Sequence, residues 1–385
     1  MRIGLFTDAY HPIVSGVSVS LEILKRELEK LGHVVFIFTH EHPMQTEDPS
    51  IIRCKGKTLP MKSMKEYKVS KVTNKNINRV LSFNLDIIHC HTEFSIGRLG
   101  RKAARRAGIP VVHTYHTMYE DYCHHITKTF ARPLRFISKI YSKRFANSAD
   151  QVIFPTIKVK RTFDRYGFEK HSEIIPTGIY LDRFRRINFK ESEILDLKIS
   201  VGLSKDDFVW LFLGRLSREK NIESMIKEFS KLNLPKNNKL LIVGGGPDIE
   251  LFKKLVIKLG LTEKVLFTGM IKPNLVPIYY HLANLFINFS DTETQGLTFI
   301  EALAAGLPVI AKYDDNLEGV IIDHYNGLTF NEVSEFRDTF YELTENKVKF
   351  DEITNNASKA IEQFSAQNFA LNIERVYKNT LEKAN

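Results

Sequence analysis

The sequence predicts an α/β protein of two domains, each a parallel sheet covered by helices. Three observations predict it. The chain has 385 residues, 43% of them hydrophobic, too long for one ordinary core and ample to fill two. Short apolar β-rich runs alternate with helical stretches in both halves. The residues suited to chemistry fall directly after those runs, where open α/β sheets place their ligands.

In the first half Ile3–Phe6 reads as a strand, a helix over Ser18–Leu31 stops at Gly32, and Val34–Thr39 is the next strand. Ile87–Cys90, a helix near Gly97–Ala107 and Val111–Tyr115 continue the alternation. The second half repeats it with Val209–Gly214, Leu240–Val243, Val265–Thr268, Leu285–Phe289 and Val309–Ala311. The expected architecture is therefore two Rossmann-like domains, residues 1–180 and 181–365, facing an interdomain cleft, with the boundary at the Pro/Gly segment Pro176-Thr177-Gly178-Ile179. A last helix spans 366–385.

Composition excludes several classes. Cys54, Cys90 and Cys123 are an odd number without C-x-x-C spacing, which argues against a disulfide framework or a zinc knot and for a reducing cytoplasm. The chain enters its first strand at once and has no run of 18 apolar residues, so neither a signal peptide nor a membrane span is expected. The net charge of +10 is uneven: residues 1–185 hold 31 Lys+Arg against 17 Asp+Glu, and the rest 24 against 28. A basic first half calls for an anionic partner, an acidic membrane or a nucleic acid, or is simply a solvated face. No recognisable nucleic-acid module supports the second partner.

The densest chemistry lies at Glu293-Thr294-Gln295-Gly296-Leu297, which opens a helix at Gln295 whose strongly helical run Glu301 to Ala305 stops at Gly306. Glu293 and Glu301, eight residues apart, bracket a glycine turn opening a helix. The free N–H groups of Gln295, Gly296 and Leu297 and the helix dipole favour an anion such as a diphosphate, and carboxylates accept sugar and ribose hydroxyls well. Arg215 and Lys220, on a loop after a strand, suit the same diphosphate: charge on a departing phosphate grows in the transition state, where cations stabilise it most. Gly244-Gly245-Gly246-Pro247 reads as a tight turn. Gly16, in the loop leading into the first helix, can bring backbone N–H groups to a phosphate, a plain helix-entry loop being the alternative. His116 falls at a strand end. His89-Cys90-His91 and His124-His125 lack the spacing of a fixed metal site, and no metal is expected.

These segments resemble the retaining glycosyltransferases of family 4. Glu293 to Glu301 matches their E-x7-E signature, Arg215 and Lys220 their G-R-x4-K pattern, and Gly244 to Pro247 their G-x-G-P turn. Gly16 matches the second glycine of their Gly-Gly-[VI] loop, where Ser15 replaces the first. The resemblance implies the GT-B fold and a last helix crossing back to the first domain. It also implies a UDP-sugar donor held by Gly16, Arg215, Lys220, Gln295, Gly296, Leu297 and Glu301, with Glu301 on the ribose. Glu293 and His116 then act on the transferred hexose. Transfer with retention would proceed by front-face substitution, the departing phosphate taking the acceptor proton. No tightly bound cofactor is implied; a divalent ion, if one assists, is a loosely held Mg2+ on the diphosphate.

Within the family, His91-Thr92-Glu93-Phe94-Ser95 and His113 to Tyr122 resemble bacterial enzymes that glucosylate diacylglycerol. The implied reaction moves glucose from UDP-glucose to 1,2-diacylglycerol at the cytoplasmic face of the cell membrane, with the protein peripheral. A second-hexose transfer to monoglucosyldiacylglycerol, or another lipid or soluble acceptor, stays open. For membrane contact the helix around Pro133–Phe145 places Leu134, Ile137, Tyr141 and Phe145 on one stripe and Arg135, Lys139, Lys143 and Arg144 off it. A core-facing stripe with a solvated basic face is the alternative. The stretch Lys55 to Lys68, mixing Met and Tyr with lysine, is a second candidate.

Overall fold

The computed structural model describes residues 1–13, 15–45, 47–58, 68–116, 131–290 and 293–384, without the side chains of 131, 132 and 134. The chain divides into two units, Met1–Ile179 with Ala366–Asn385, and Tyr180–Ser365.

The first unit carries β1 (Arg2–Phe6), β2 (Val34–His40), β3 (Ile51–Cys54), the short strands β4 (Lys57–Thr58) and β5 (Lys68–Val69), β6 (Ile87–Cys90), β7 (Val111–Thr114), β8 (Gln151–Phe154) and β9 (Ser172–Ile174). The second carries β10 (Phe208–Leu213), β11 (Asn238–Val243), β12 (Val265–Gly269), β13 (Leu285–Asn288), β14 (Val309–Lys312) and β15 (Gly327–Phe330). The first sheet runs β3-β2-β1-β6-β7-β8-β9 and the second β12-β11-β10-β13-β14-β15, and their ladders are parallel. Such strands are covered on both faces, so they read as unbroken apolar runs: Trp210 to Phe212 and Leu240 to Val243 are buried throughout. Sequence reading overlooked β3, β8, β9 and β15, each only three or four residues long.

Around the first sheet Phe6, Phe38, Ile88, Phe145, Phe154 and Phe163 pack together. In the second, Trp210 lies between Phe229 and Phe340 and donates its indole N–H to Asn238 at 3.2 Å. The final helix, Ala366–Ala384, belongs to the first unit. It buries Phe369, Ile373, Val376 and Tyr377, and Glu374 meets His33 at 3.0 Å. Among the described residues, no helix is long and apolar enough to cross a membrane.

Both sheets reverse their winding once, between β1 and β6 and between β10 and β13. Open α/β sheets bind their ligands beyond the carboxyl ends of such pairs, where the connections diverge. Two such places result, one per unit.

Candidate active site

In the second unit the loops after β10 and β13 carry the predicted donor residues. Backbone hydrogen bonds lace the neighbouring strand ends: Gly214 N to Val243 O at 3.0 Å, Leu216 N to Gly245 O at 2.9 Å and Gly244 N to Gly269 O at 3.1 Å. A Cβ on Gly244 would lie 2.0 Å from the Gly214 carbonyl oxygen, so the approach requires glycine there. The turn read as structural from sequence thus packs against the Gly214 and Leu216 backbone on either side of Arg215.

Across the switch point, Lys220 donates to Glu293 Oε1 at 2.5 Å, with side chains 19% and 18% exposed. The two residues come from opposite sides of the winding reversal. Arg215 is exposed and, among the described residues, forms no ion pair. One cation is therefore held and the other presented to solvent.

The helix after β13 spans Leu297–Ala304 and is capped by Gly296 at φ 69°. A side chain at Gly296 would also meet the Phe299 ring at 2.6 Å. The helix begins later than the sequence suggests: Gln295 lies in the preceding loop with its side chain buried, and Leu297 is the first helical residue. The leading N–H groups of that helix have no partners within it. Glu301, one turn in, accepts a hydrogen bond from the Tyr280 phenol at 2.6 Å. Burial pushes its carboxyl up to about 7, against the lowering pull of Tyr280 and the Arg183 charge. Near neutral pH, Glu301 is poised between its two forms.

The first unit's strand ends carry histidines. His89 is fully buried, its Nδ1 2.7 Å from the Tyr377 hydroxyl and its Nε2 2.7 Å from Thr114 Oγ1. His91 lies against it, ring centroids 3.9 Å apart, and its Nδ1 is 2.9 Å from His116 Nε2. His113 donates from Nδ1 to Cys90 O at 2.9 Å. Burial, reinforced by neighbouring imidazoles, holds His89 and His91 well below the ordinary histidine range and His116 at about 3. These rings are neutral at physiological pH. Beside them Asp8 accepts from Thr92, Ser95 and the Ile96 N–H and meets His40 at 3.0 Å. Burial would raise the Asp8 carboxyl, but those hydrogen bonds and His40 leave it below its ordinary value.

Gly16 stands in the first unit as the first residue of the Gly16–Lys30 helix, capped by Ser15. It is exposed, with open space where a side chain would point. His116 shares that unit, whereas Arg215, Lys220, Glu293, Gln295, Gly296, Leu297 and Glu301 share the other.

The basic helix spans Ala131–Ala146, and its faces differ from the predicted stripe. Phe145 is buried and Tyr141 donates to Glu93 O at 2.5 Å, but Ile137 is 61% exposed and Phe136 63%. Lys139 lies 4.8 Å from the Tyr166 ring centroid, and both it and Lys143 are half-buried, while Arg135 and Arg144 are exposed. The stripe therefore splits: its last turns enter the core and its first turns present apolar side chains outward. Leu134 as a side chain, Cys123, His124-His125 and residues 59–67 lie outside the described residues. Among the described residues, no three His, Cys, Asp or Glu side chains are arranged to hold a metal ion.

Sequence reading passed over Tyr280, Asp8, Tyr377 and the pairing of His91 with His116. The position of Asp8 just past β1 is a signal that could have found it; the others depend on contacts distant in sequence.

Two family models match the chain: Glycosyltransferase Family 4 over residues 14–183 and Glycosyl transferases group 1 over residues 195–383. The α-monoglucosyldiacylglycerol synthase of Streptococcus pneumoniae is 37% identical, covering 98% of this chain and 85% of its own. That of Acholeplasma laidlawii is 33% identical over 100% of this chain and 98% of its own. Among solved structures, Anabaena HepE in complex with UDP-glucose superposes with a TM-score of 0.74 at 18% identity, over 98% of this chain and 100% of that one.

Proposed function

Because the chain belongs to the family 4 glycosyltransferases and has their GT-B fold, it is a hexosyltransferase, and we propose that it moves glucose from UDP-glucose to 1,2-diacylglycerol with retention. The observation that carries the donor half is the Lys220–Glu293 pair across the winding reversal of the second sheet. It sets a cation for phosphate beside a carboxylate for sugar hydroxyls, and the exposed Arg215 supplies a second cation.

In this reading the donor diphosphate takes Lys220 from Glu293, and the carboxylate orients the hexose. Arg215 and Lys220 neutralise the charge that builds on the departing UDP, and the first N–H groups of the Leu297–Ala304 helix meet the phosphates. Glu301 accepts from the ribose, and Gly16 offers backbone N–H groups to a phosphate. His116 contacts the transferred hexose. The leaving phosphate takes the acceptor proton, so no protein base is required. Mg2+, where it contributes, rides on the diphosphate.

The acceptor half rests on the two curated relatives, whose names specify monoglucosyldiacylglycerol, and on the Ala131–Ala146 helix. Its exposed Phe136, Ile137 and Ile140 beside Arg135 and Arg144 suit an anionic headgroup layer, which supports a peripheral position on the inner leaflet. Purified protein given labelled UDP-glucose or UDP-galactose and vesicles holding diacylglycerol or monoglucosyldiacylglycerol tests donor and acceptor together. Label from UDP-glucose alone, entering an α-glucoside of diacylglycerol, is expected. Label confined to water-soluble acceptors rejects the lipid.

A further inference from the structure

We infer that His91 fixes the ring tautomer of His116, donating its Nδ1–H to His116 Nε2 and so leaving His116 protonated on Nδ1. This deepens the proposed function and rests on its assignment of His116 to the transferred hexose.

The geometry allows two arrangements. The nitrogens are 2.9 Å apart, so one carries hydrogen and the other a lone pair. If His116 donated, neutral His91 would carry its own proton on Nε2, an atom that is buried and, among the described residues, has no partner. That would orphan an N–H group. If His91 donates, the orphan is only a lone pair, a less costly defect, because buried donors without acceptors are rarer in proteins than under-satisfied acceptors. His89, pinned by Tyr377 and Thr114, packs against the His91 ring and holds its orientation. Burial keeps His91 and His116 uncharged, which removes the doubly protonated alternative at neutral pH.

The consequence falls on the other edge of His116. Among the described residues nothing hydrogen-bonds its Nδ1, so Nδ1–H is the ring's free donor, ready for a hexose hydroxyl oxygen. The opposite tautomer would present a lone pair instead. No proton changes hands; His91 is a positioning residue and His116 a neutral donor.

Long-range proton–nitrogen spectra of the donor-free, full-length protein with labelled histidine read the tautomer directly, and His116→Gln assigns the signals. Nδ1 of His116 is expected to be pyrrole-like and Nε2 pyridine-like; the reverse overturns the inference. In His91→Leu the Nδ1–H form should lose its dominance and kcat should fall about tenfold or more, with KM for UDP-glucose little changed. His91→Asn, whose amide can donate from the same place, should restore both tautomer and turnover. A His91→Leu protein in which His116 keeps Nδ1–H also refutes the inference. A tautomer that shifts while kcat stays constant upholds the contact and removes His116 from the proposed reaction.

Discussion

The two switch points share a topology and differ in chemistry. At the second sheet the groups are ionic and partly hydrated: Lys220 against Glu293, Arg215 in solvent, Glu301 at about 7. At the first the histidines are neutral and buried, His89 held between Tyr377 and Thr114 with His91 against it, and the Asp8 carboxylate is enclosed by Thr92, Ser95, the Ile96 N–H and His40. A diphosphate needs cations that can leave water for it. A sugar or glycerol hydroxyl needs directed donors without net charge. On the proposed reading the same topology serves a charged ligand in one unit and directed hydrogen bonding in the other.

The sharpest way to break the contrast is on the ionic side. Lys220→Ala should lower kcat by about 10²–10³, as steady-state kinetics will show. Lys220→Arg should recover only part of this, since a fork does not replace a point charge. Equal turnover in both variants would make the pair a surface ornament.

Glu301 gives the next effect and a pH signature. In the proposed complex its ionised form accepts from the ribose, so affinity for UDP should rise as pH goes from about 6 to about 8, by up to roughly tenfold, with a proton released on binding. Calorimetry in buffers of different ionisation enthalpy measures both. Stability moves the other way. The folded carboxyl titrates at about 7, above its ordinary 4.5, so its contribution to the donor-free protein is full below 4.5 and is lost as pH rises through 7. Glu301→Gln should flatten the affinity profile and raise Tm relative to the parent more at pH 8 than at pH 5.

Gly296→Ala is expected to cost about 1–3 kcal/mol, because its φ of 69° disfavours a side chain and the Phe299 ring already fills the space. Urea denaturation measures it. The smallest effect belongs to the Ala131–Ala146 helix. Arg135→Ser with Arg144→Ser should weaken binding to anionic vesicles by about 1 kcal/mol per residue at low salt, while UDP affinity holds. Unchanged vesicle binding would return that helix to a solvated role.

How much of this was legible in the sequence follows the range of the interactions. The long apolar strands and the Gln295-Gly296-Leu297 turn are local, and their pattern announces them. The four-residue β8, Gln151–Phe154, is too short to carry a period, and β9 is three residues of mixed polarity. Lys220 meets Glu293 across 73 residues and His89 meets Tyr377 across 288, contacts that only the parallel topology creates. The raised Glu301 carboxyl reflects burial beside Tyr280, which no spacing rule reveals. In the Ala131–Ala146 helix the period was readable, but which turns it buried was not.

The most direct test of the central claim is a structure of the protein soaked with UDP-glucose. The account predicts the diphosphate at Arg215 and Lys220, the hexose on Glu293 and the ribose on Glu301. A diphosphate lodged away from the β10–β13 switch point, with Lys220 still paired to Glu293, would contradict it.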